Sequence, residues 1–360
     1  MGISRIVFIS PGPDSEGGIS MVVENIRHSS FWAKNQCIHF GTSCESISTF
    51  RKVSFTLGRL AKYCILLIKI RPTLVSIHTS SGSSFYRKSL FAIFARLFNI
   101  PIVFHIHPTH FYDFFENGGY FRRTYIKYIL GQSVGLVFLT QQMVDEFQRE
   151  LPTHAIYALP NPVDVSKYQR FGRPPMKGNF RLLFLGWIVE SKGVFDIVDI
   201  IGKVVECYPS VEFIFAGPKQ TERLRDLIIE RGLVNHTQVL GWVQGDAKLQ
   251  LLANSRLLLL PTYTEGIPNV LLEAMASGLP SITTPVGGIP SVFEQSTNGY
   301  YVSPGDQVQL EDMILKLLGD DEECERLSQA TQVKAWSYDV EKVGEELEKI
   351  YAELLPSTSL

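Results

Sequence analysis

The sequence predicts an α/β protein built as two helix-covered parallel sheets in tandem. Three observations predict it. Short apolar runs alternate with helix-period stretches along all 360 residues. A break rich in proline and glycine divides that alternation near its middle. Several runs, such as Leu257-Leu-Leu-Leu260, are apolar without alternating, as strands covered on both faces are. Length alone also favours two domains, each large enough for its own core.

In the first half the strand-like runs fall at 6–10, 38–41, 74–78, 102–106, 135–139 and 156–159. Between them, apolar residues recur every three or four positions at 19–34, 54–69, 86–98, 120–130 and 142–150, which predicts helices. Residues 160–178 carry prolines and glycines without hydrophobic periodicity and read as a linker. A second series of runs follows at 181–185, 212–216, 238–240, 256–260, 281–284 and 299–302. The tail, 338–355, reads as one amphipathic helix. The reading is two Rossmann-like domains, 1–163 and 164–337. Open α/β sheets bind ligands beyond the carboxyl ends of their strands, so the expected site is a cleft between the two.

Composition excludes other classes. With 45% hydrophobic and 11% aromatic residues the chain is not disordered. Its 28 glycines and 19 prolines show no collagen period. The net charge of −2 hides a polarity: residues 1–160 hold 16 Lys and Arg against 9 acids, and the rest holds 18 against 27. No acid lies between Ser46 and Tyr112, where Arg51, Lys52, Arg59, Lys62, Lys69, Arg71, Arg87, Lys88 and Arg96 all fall. That charge suits an anionic partner, nucleic acid or membrane; a solvated basic helix face is the plainer structural reading. Five scattered cysteines without CxxC spacing fit a reducing compartment and argue against a disulfide framework or zinc site. The chain runs straight into an apolar strand, without the apolar length of a signal peptide. No stretch reaches 18 uncharged apolar residues, and 60–70 is broken by Lys62 and Lys69, so no membrane span is expected.

Four stretches carry candidate chemistry. Gly17-Gly18 opens the first helix, where small residues let backbone amides approach a phosphate; taken alone, that is also a simple loop. His105-Ile-His107-Pro-Thr-His110 follows the fourth strand. Strand alternation sends His105 and His107 to one side. Without HExxH or a nearby carboxylate the metal reading loses to packed, hydrogen-bonded histidines, and no metal is expected. Gly186-Trp187 leads to Lys192-Gly193 before a helix, where an ammonium can serve a diphosphate or remain a surface charge. The richest stretch runs Glu265-Gly266-Ile267-Pro268-Asn269-Val270-Leu-Leu-Glu273-Ala-Met-Ala-Ser-Gly278. Asn269 suits an N-cap for a helix ending near Gly278. A carboxylate accepts from two adjacent hydroxyls, so Glu265 and Glu273 suit a sugar diol.

Together these residues resemble the family-4 retaining glycosyltransferases of the GT-B fold. The Glu265-x7-Glu273 motif carries most of the likeness. Gly17-Gly18-Ile19, the His107 loop, Gly186 with Lys192-Gly193, Ala216-Gly217-Pro218, Leu240-Gly241-Trp242-Val243 and Val286-Gly-Gly-Ile-Pro290 extend it along the whole chain. The resemblance implies a final helix, about 338–356, that crosses back onto the first domain, which would take the acceptor. The second domain would bind a nucleotide-sugar. Gly17 and Gly18 would approach the donor diphosphate, with Lys192 as its cation. Gly186 and Gly217 would line the donor site, and Val243 would meet the base through its backbone. Glu273 would hold the ribose; Glu265, with Gly266, Ile267, Pro268, Asn269 and Val270, would hold sugar and phosphate; His107 would sit at the donor sugar. His107, Lys192 and Glu265 are thus the implied catalytic set.

No cofactor follows: the nucleotide-sugar is a substrate, and the chain lacks Asp-x-Asp. The implied partners are a nucleotide-sugar donor, UDP-sugar over GDP-sugar on family frequency alone, and a glycan or lipid-linked acceptor. An anionic membrane surface met by residues 51–71 is a third; nucleic acid is not among them. The implied place is the cytoplasm, peripheral to the membrane, in bacterial-type surface polysaccharide assembly. One departure stands out, since family members commonly have Arg where this chain has Trp187. It motivates an alternative, a catalytically weak sugar-nucleotide-binding or scaffold subunit; a sugar-nucleotide epimerase is a third reading.

Overall fold

The computed structural model describes residues 5–12, 17–42, 49–108, 110–174 and 177–355, with 49–53 as backbone only. The chain forms two compact units, Met1–Pro162 with Val340–Leu360, and Val163–Asp339.

The first unit runs β1 (Ile6–Ser10), α1 (Gly18–Arg27), α2 (Ser30–Lys34), β2 (Ile38–Gly41), α3 (Thr49–Ile70), β3 (Leu74–Thr79) and α4 (Ser83–Leu97). It continues with β4 (Ile102–Ile106), α5 (Phe111–Glu116), α6 (Gly119–Gly131), β5 (Gly135–Phe138), α7 (Gln141–Glu150) and β6 (Ile156–Ala158). All six strands are parallel in the order β2-β1-β3-β4-β5-β6. Alternation on each strand fills two cores. Val7 and Ile9 face a cluster with Tyr63, Leu67, Phe85, Phe91 and Phe111. Ile6 and Phe8 face the other, which holds Val22, Val23, Phe31, Leu347 and Tyr351.

The second unit runs α8 (Val165–Gln169), β7 (Arg181–Leu185), α9 (Val194–Cys207), β8 (Glu212–Ala216), α10 (Thr221–Glu230), β9 (Thr237–Gly241) and α11 (Gly245–Asn254). Then come β10 (Leu257–Leu260), α12 (Asn269–Ala276), β11 (Ser281–Thr283), β12 (Gly299–Tyr301), α13 (Gln307–Gly319) and α14 (Asp321–Ala335). Its six parallel strands are ordered β12-β11-β10-β7-β8-β9. The final helix, α15 (Val340–Leu354), returns to the first unit. Val343, Leu347, Ile350 and Tyr351 recur at helical spacing and are buried there. The Glu341 carboxylate accepts from the Ser30 amide at 2.9 Å and the Ser30 hydroxyl at 2.5 Å.

The structure departs from the sequence reading at several places. The helix expected over 19–34 is two, because Ser29 turns extended at φ −79°, ψ 155° and starts α2 afresh. The expected linker contains α8, whose N-cap Asp164 accepts from the Lys167 amide at 3.0 Å; the prolines around it mask the signal. Helix α5 went unread because its six residues are too few to show a periodic apolar stripe; its burial comes from Phe111 and Phe115. The tail helix expected over 338–355 is α15, which starts two residues later, after the 3-10 turn Trp336–Tyr338. Arg256, expected at a strand start, precedes β10 fully buried, donating to the Leu317 carbonyl and pairing with Asp321 at 2.7 Å.

Candidate functional site

In the second unit the candidate residues cluster beyond the carboxyl ends of β7, β8 and β10. After β7 the chain makes a 3-10 turn, Glu190–Lys192, closed by Gly193 at φ +66°. A Cβ on Gly193 would lie 2.1 Å from the Pro261 carbonyl oxygen, so only glycine fits this contact. The turn is lashed to the stretch after β10: the Tyr263 amide and Thr262 Oγ1 both donate to the Ser191 carbonyl, at 2.9 and 3.0 Å. These bonds bring Lys192 to Glu265. Its Nζ reaches Glu265 Oε1 at 2.5 Å and the Thr264 carbonyl at 3.2 Å.

The loop ends in α12, with a correction to its cap. Pro268, at φ −69° and ψ 122°, is the N-cap, and Asn269 is the first helical residue. Proline already holds the extended φ a cap needs. Ile267 and Pro268 are buried, whereas Gly266, Asn269 and Val270 are half-buried around the helix start. Glu273 lies one turn in and is 4% exposed. A carboxylate buried so deeply needs a partner. Lys248 Nζ supplies one at 2.6 Å. Tyr168 is a second neighbour: burial first, then the Glu273 charge, push its pKa well up.

Beyond β8, Gly217 crosses so close that a Cβ would meet the Gly186 carbonyl oxygen at 1.7 Å. Its amide donates to the Gly241 carbonyl, which precedes Trp242 and half-buried Val243. Trp187 is 43% exposed, and Lys219 Nζ stands 4.9 Å over its ring. Lys219 holds φ +95°, unusual for a side-chain-bearing residue. Among the described residues no ion pair engages it.

In the first unit Gly17, at φ −140° and ψ 149°, caps α1, and Gly18 begins it. Beyond β4 the expected same-side placement of His105 and His107 is met: their rings stack at 4.6 Å and 12°. His110 lies apart, near Ser81 Oγ at 3.3 Å. The third member is His78 from β3, which sequence reading missed because its strand neighbour, His105, is set only by sheet register. The ligating atoms of His78, His105 and His107 lie within 4.8 Å of one another. The rings lie at 12°, 26° and 35° to one another, and His78 Nδ1 and His107 Nε2 share a hydrogen bond at 3.0 Å.

That bond belongs to a polarised chain. Buried Tyr351 donates its hydroxyl proton to Ser76 Oγ at 2.7 Å. Because Ser76 Oγ already accepts from Tyr351, we assign the Ser76 proton to His78 Nε2, 3.2 Å away. His78 therefore carries its proton on Nδ1 and donates it to His107 Nε2 at 3.0 Å. This network assigns His107 the Nδ1–H tautomer. Burial holds both rings well below the ordinary imidazole pKa, although Asn161 favours the charged form of His107. Among the described residues His105 has no hydrogen-bond partner on either nitrogen, and burial lowers it to about 3.

Residues 166–334 match the family model for Glycosyl transferases group 1. Glycogen synthase of Mycobacterium tuberculosis is 24% identical over 265 residues, 71% of this chain and 64% of that protein. Phosphatidyl-myo-inositol mannosyltransferase of Mycobacterium leprae is 30% identical over 207 residues, 56% and 54%. The chain thus spans just under two thirds of the length of the former and about half of the latter. Among solved structures, Anabaena HepE in complex with UDP and glucose has a TM-score of 0.73 at 15% identity, covering 97% of this chain and 100% of that one. Sucrose-phosphate synthase from Thermosynechococcus elongatus has a TM-score of 0.75 at 15% identity, covering 98% and 99%. The fold is GT-B, and the match to the group 1 family model lies within the second unit.

Proposed function

We propose that the chain is a retaining, metal-independent glycosyltransferase that moves a sugar from a nucleotide-sugar, UDP-sugar first, to a hydroxyl of a glycan or lipid-linked acceptor. The single observation that carries this reading is the Lys192–Glu265 pair, held by backbone bonds beside the start of α12. As a glycosidic bond breaks, negative charge gathers on the leaving diphosphate. A preorganised ammonium and helix-start amides stabilise that charge. Lys192 then exchanges Glu265 for phosphate, and Glu265 turns to the sugar hydroxyls. Glu273 serves the ribose diol in competition with Lys248. Gly17 and Gly18 serve the diphosphate, Val243 the base, and His107 the donor sugar. The relative named a mannosyltransferase, and HepE in complex with UDP-glucose, support the donor class.

Trp187 favours the weak-subunit alternative only if no other cation serves the diphosphate. Lys219, held over its ring, is such a cation. For membrane attachment, α3 presents Leu57, Lys62, Ile65, Ile68 and Lys69 outward at helical spacing, while Leu60, Tyr63 and Leu67 are core. Fewer of its apolar residues are therefore free than the sequence implied; Arg51 and Lys52 lie outside the described side chains. No described helix is long and apolar enough to cross a membrane. Surface attachment matches the acid-free stretch and supports a role in bacterial-type surface polysaccharide assembly at the cytoplasmic face.

The test is a thermal-shift panel of UDP, GDP and ADP with EDTA. A nucleotide at a hundred times its Kd adds about 2.7 kcal/mol. UDP is expected to stabilise the wild type in EDTA by about that amount and Lys192→Ala by only about 0.4–1.4 kcal/mol. Silence from all three nucleotides would sink the donor reading. Turnover insensitive to Glu265→Gln would return the weak-subunit alternative.

A further inference from the structure

The first unit contains a cavity of about 480 Å³, within the size range of small-molecule sites. Gly12 and Gly41, at the ends of β1 and β2, give it a backbone wall; a Cβ on Gly41 would meet Gly12 Cα at 3.0 Å. Arg27, Trp32, His39, Phe55 and Arg59 supply side chains. We propose that this cavity binds a sugar phosphate or another ring-bearing phosphate ester.

Arg59 is the central group. Its guanidinium packs 4.1 Å over the Phe40 ring. Among the described residues its Nε is buried without a hydrogen-bond partner, and no carboxylate pairs with it. A guanidinium in that state is a donor fork awaiting an anion, and its planar geometry fits phosphate oxygens in pairs. Burial already lowers its pKa, the cost an anion would repay.

The other walls refine the ligand. Arg27 is half-neutralised by Glu24 at 2.9 Å and adds weaker attraction. His39 contributes shape rather than charge, since Nε2 is engaged by Ser10 Oγ at 2.7 Å and burial lowers its pKa. Trp32 and Phe55 line it too, and aromatic side chains suit a ring-bearing ligand. A bare phosphate would leave most of the volume empty. Binding stands on these residues alone; identifying the ligand as the phosphorylated end of the acceptor rests on the transferase reading.

Calorimetric titration of the full chain tests it, with phenyl phosphate, glucose 1-phosphate, dodecyl phosphate and inorganic phosphate as probes. The ring-bearing esters are expected to bind about tenfold more tightly than inorganic phosphate. Arg59→Met is expected to weaken them about tenfold or more. Phe55→Leu should weaken the ring-bearing esters and spare inorganic phosphate. Lys192→Ala, in the second unit, should bind as the wild type does. Unchanged binding by Arg59→Met overturns the site, as does loss of binding in Lys192→Ala, which would move the anion to the proposed donor residues. Dodecyl phosphate binding tightest overturns the ring preference. Should Arg59→Met melt early, Arg59→Lys keeps the charge without the fork; equal affinity there also overturns the proposal.

Discussion

Lowering the pH from 7 to 5 should destabilise the first unit through its histidine stack. His105 is buried, unpartnered and lowered to about 3, whereas an unfolded chain returns it to about 6.5. Between those values the unfolded state binds a proton that the folded state refuses. Stability from this ring is therefore complete above about pH 6.5 and is lost as pH falls towards the folded value. Over the interval from pH 7 to 5 the linkage integral gives about 2 kcal/mol for His105 alone. His78 and His107, lowered by burial and by their neighbours, act in the same direction. Other histidines titrate too, so the assay is a comparison. Urea unfolding, followed by the fluorescence of Trp32 in this unit, is measured from pH 7 to 5 for wild type and His105→Phe, whose ring keeps the stack. The variant should lose about 2 kcal/mol less over that interval. Parallel curves would refute the claim that His105 is buried and neutral.

Four further outcomes are expected. Lys192→Ala should lower nucleotide affinity or turnover by ten- to a hundredfold, about 1.5–3 kcal/mol for one charge-assisted contact, read by kcat/KM. Lys219→Gln should cost less than Lys192→Ala, and Trp187→Arg should restore what it loses; a silent Lys219→Gln removes Lys219 from the diphosphate site. Gly193→Ala must push against the Pro261 carbonyl and hold φ +66°, so a loss of about 2 kcal/mol or more is expected in chemical denaturation. Tyr351→Phe removes the donor that polarises the path to His107; ¹⁵N shifts should then report a mixed His107 tautomer, and an unchanged Nδ1–H signature contradicts the chain.

The sequence by itself determined the two-sheet architecture, because the apolar runs that form parallel strands, such as Arg181–Leu185 and Leu257–Leu260, must be covered on both faces. The spacing of Glu265 and Glu273 was legible too, whereas the close backbone approaches at Gly193 and Gly217 are visible only in the fold. Only the tertiary structure decided the partners of those carboxylates. Lys192 reaches Glu265 across 73 residues, and Lys248 and Tyr168 reach Glu273 from elements that no local pattern links to it. His78 joins His107 through strand register, and Tyr351 joins them from the last helix. Local periodicity reports which face of an element is buried; it carries no information about which distant side chain shares that burial. Partners of buried polar groups are chosen by packing, so they became visible only when the chain was folded.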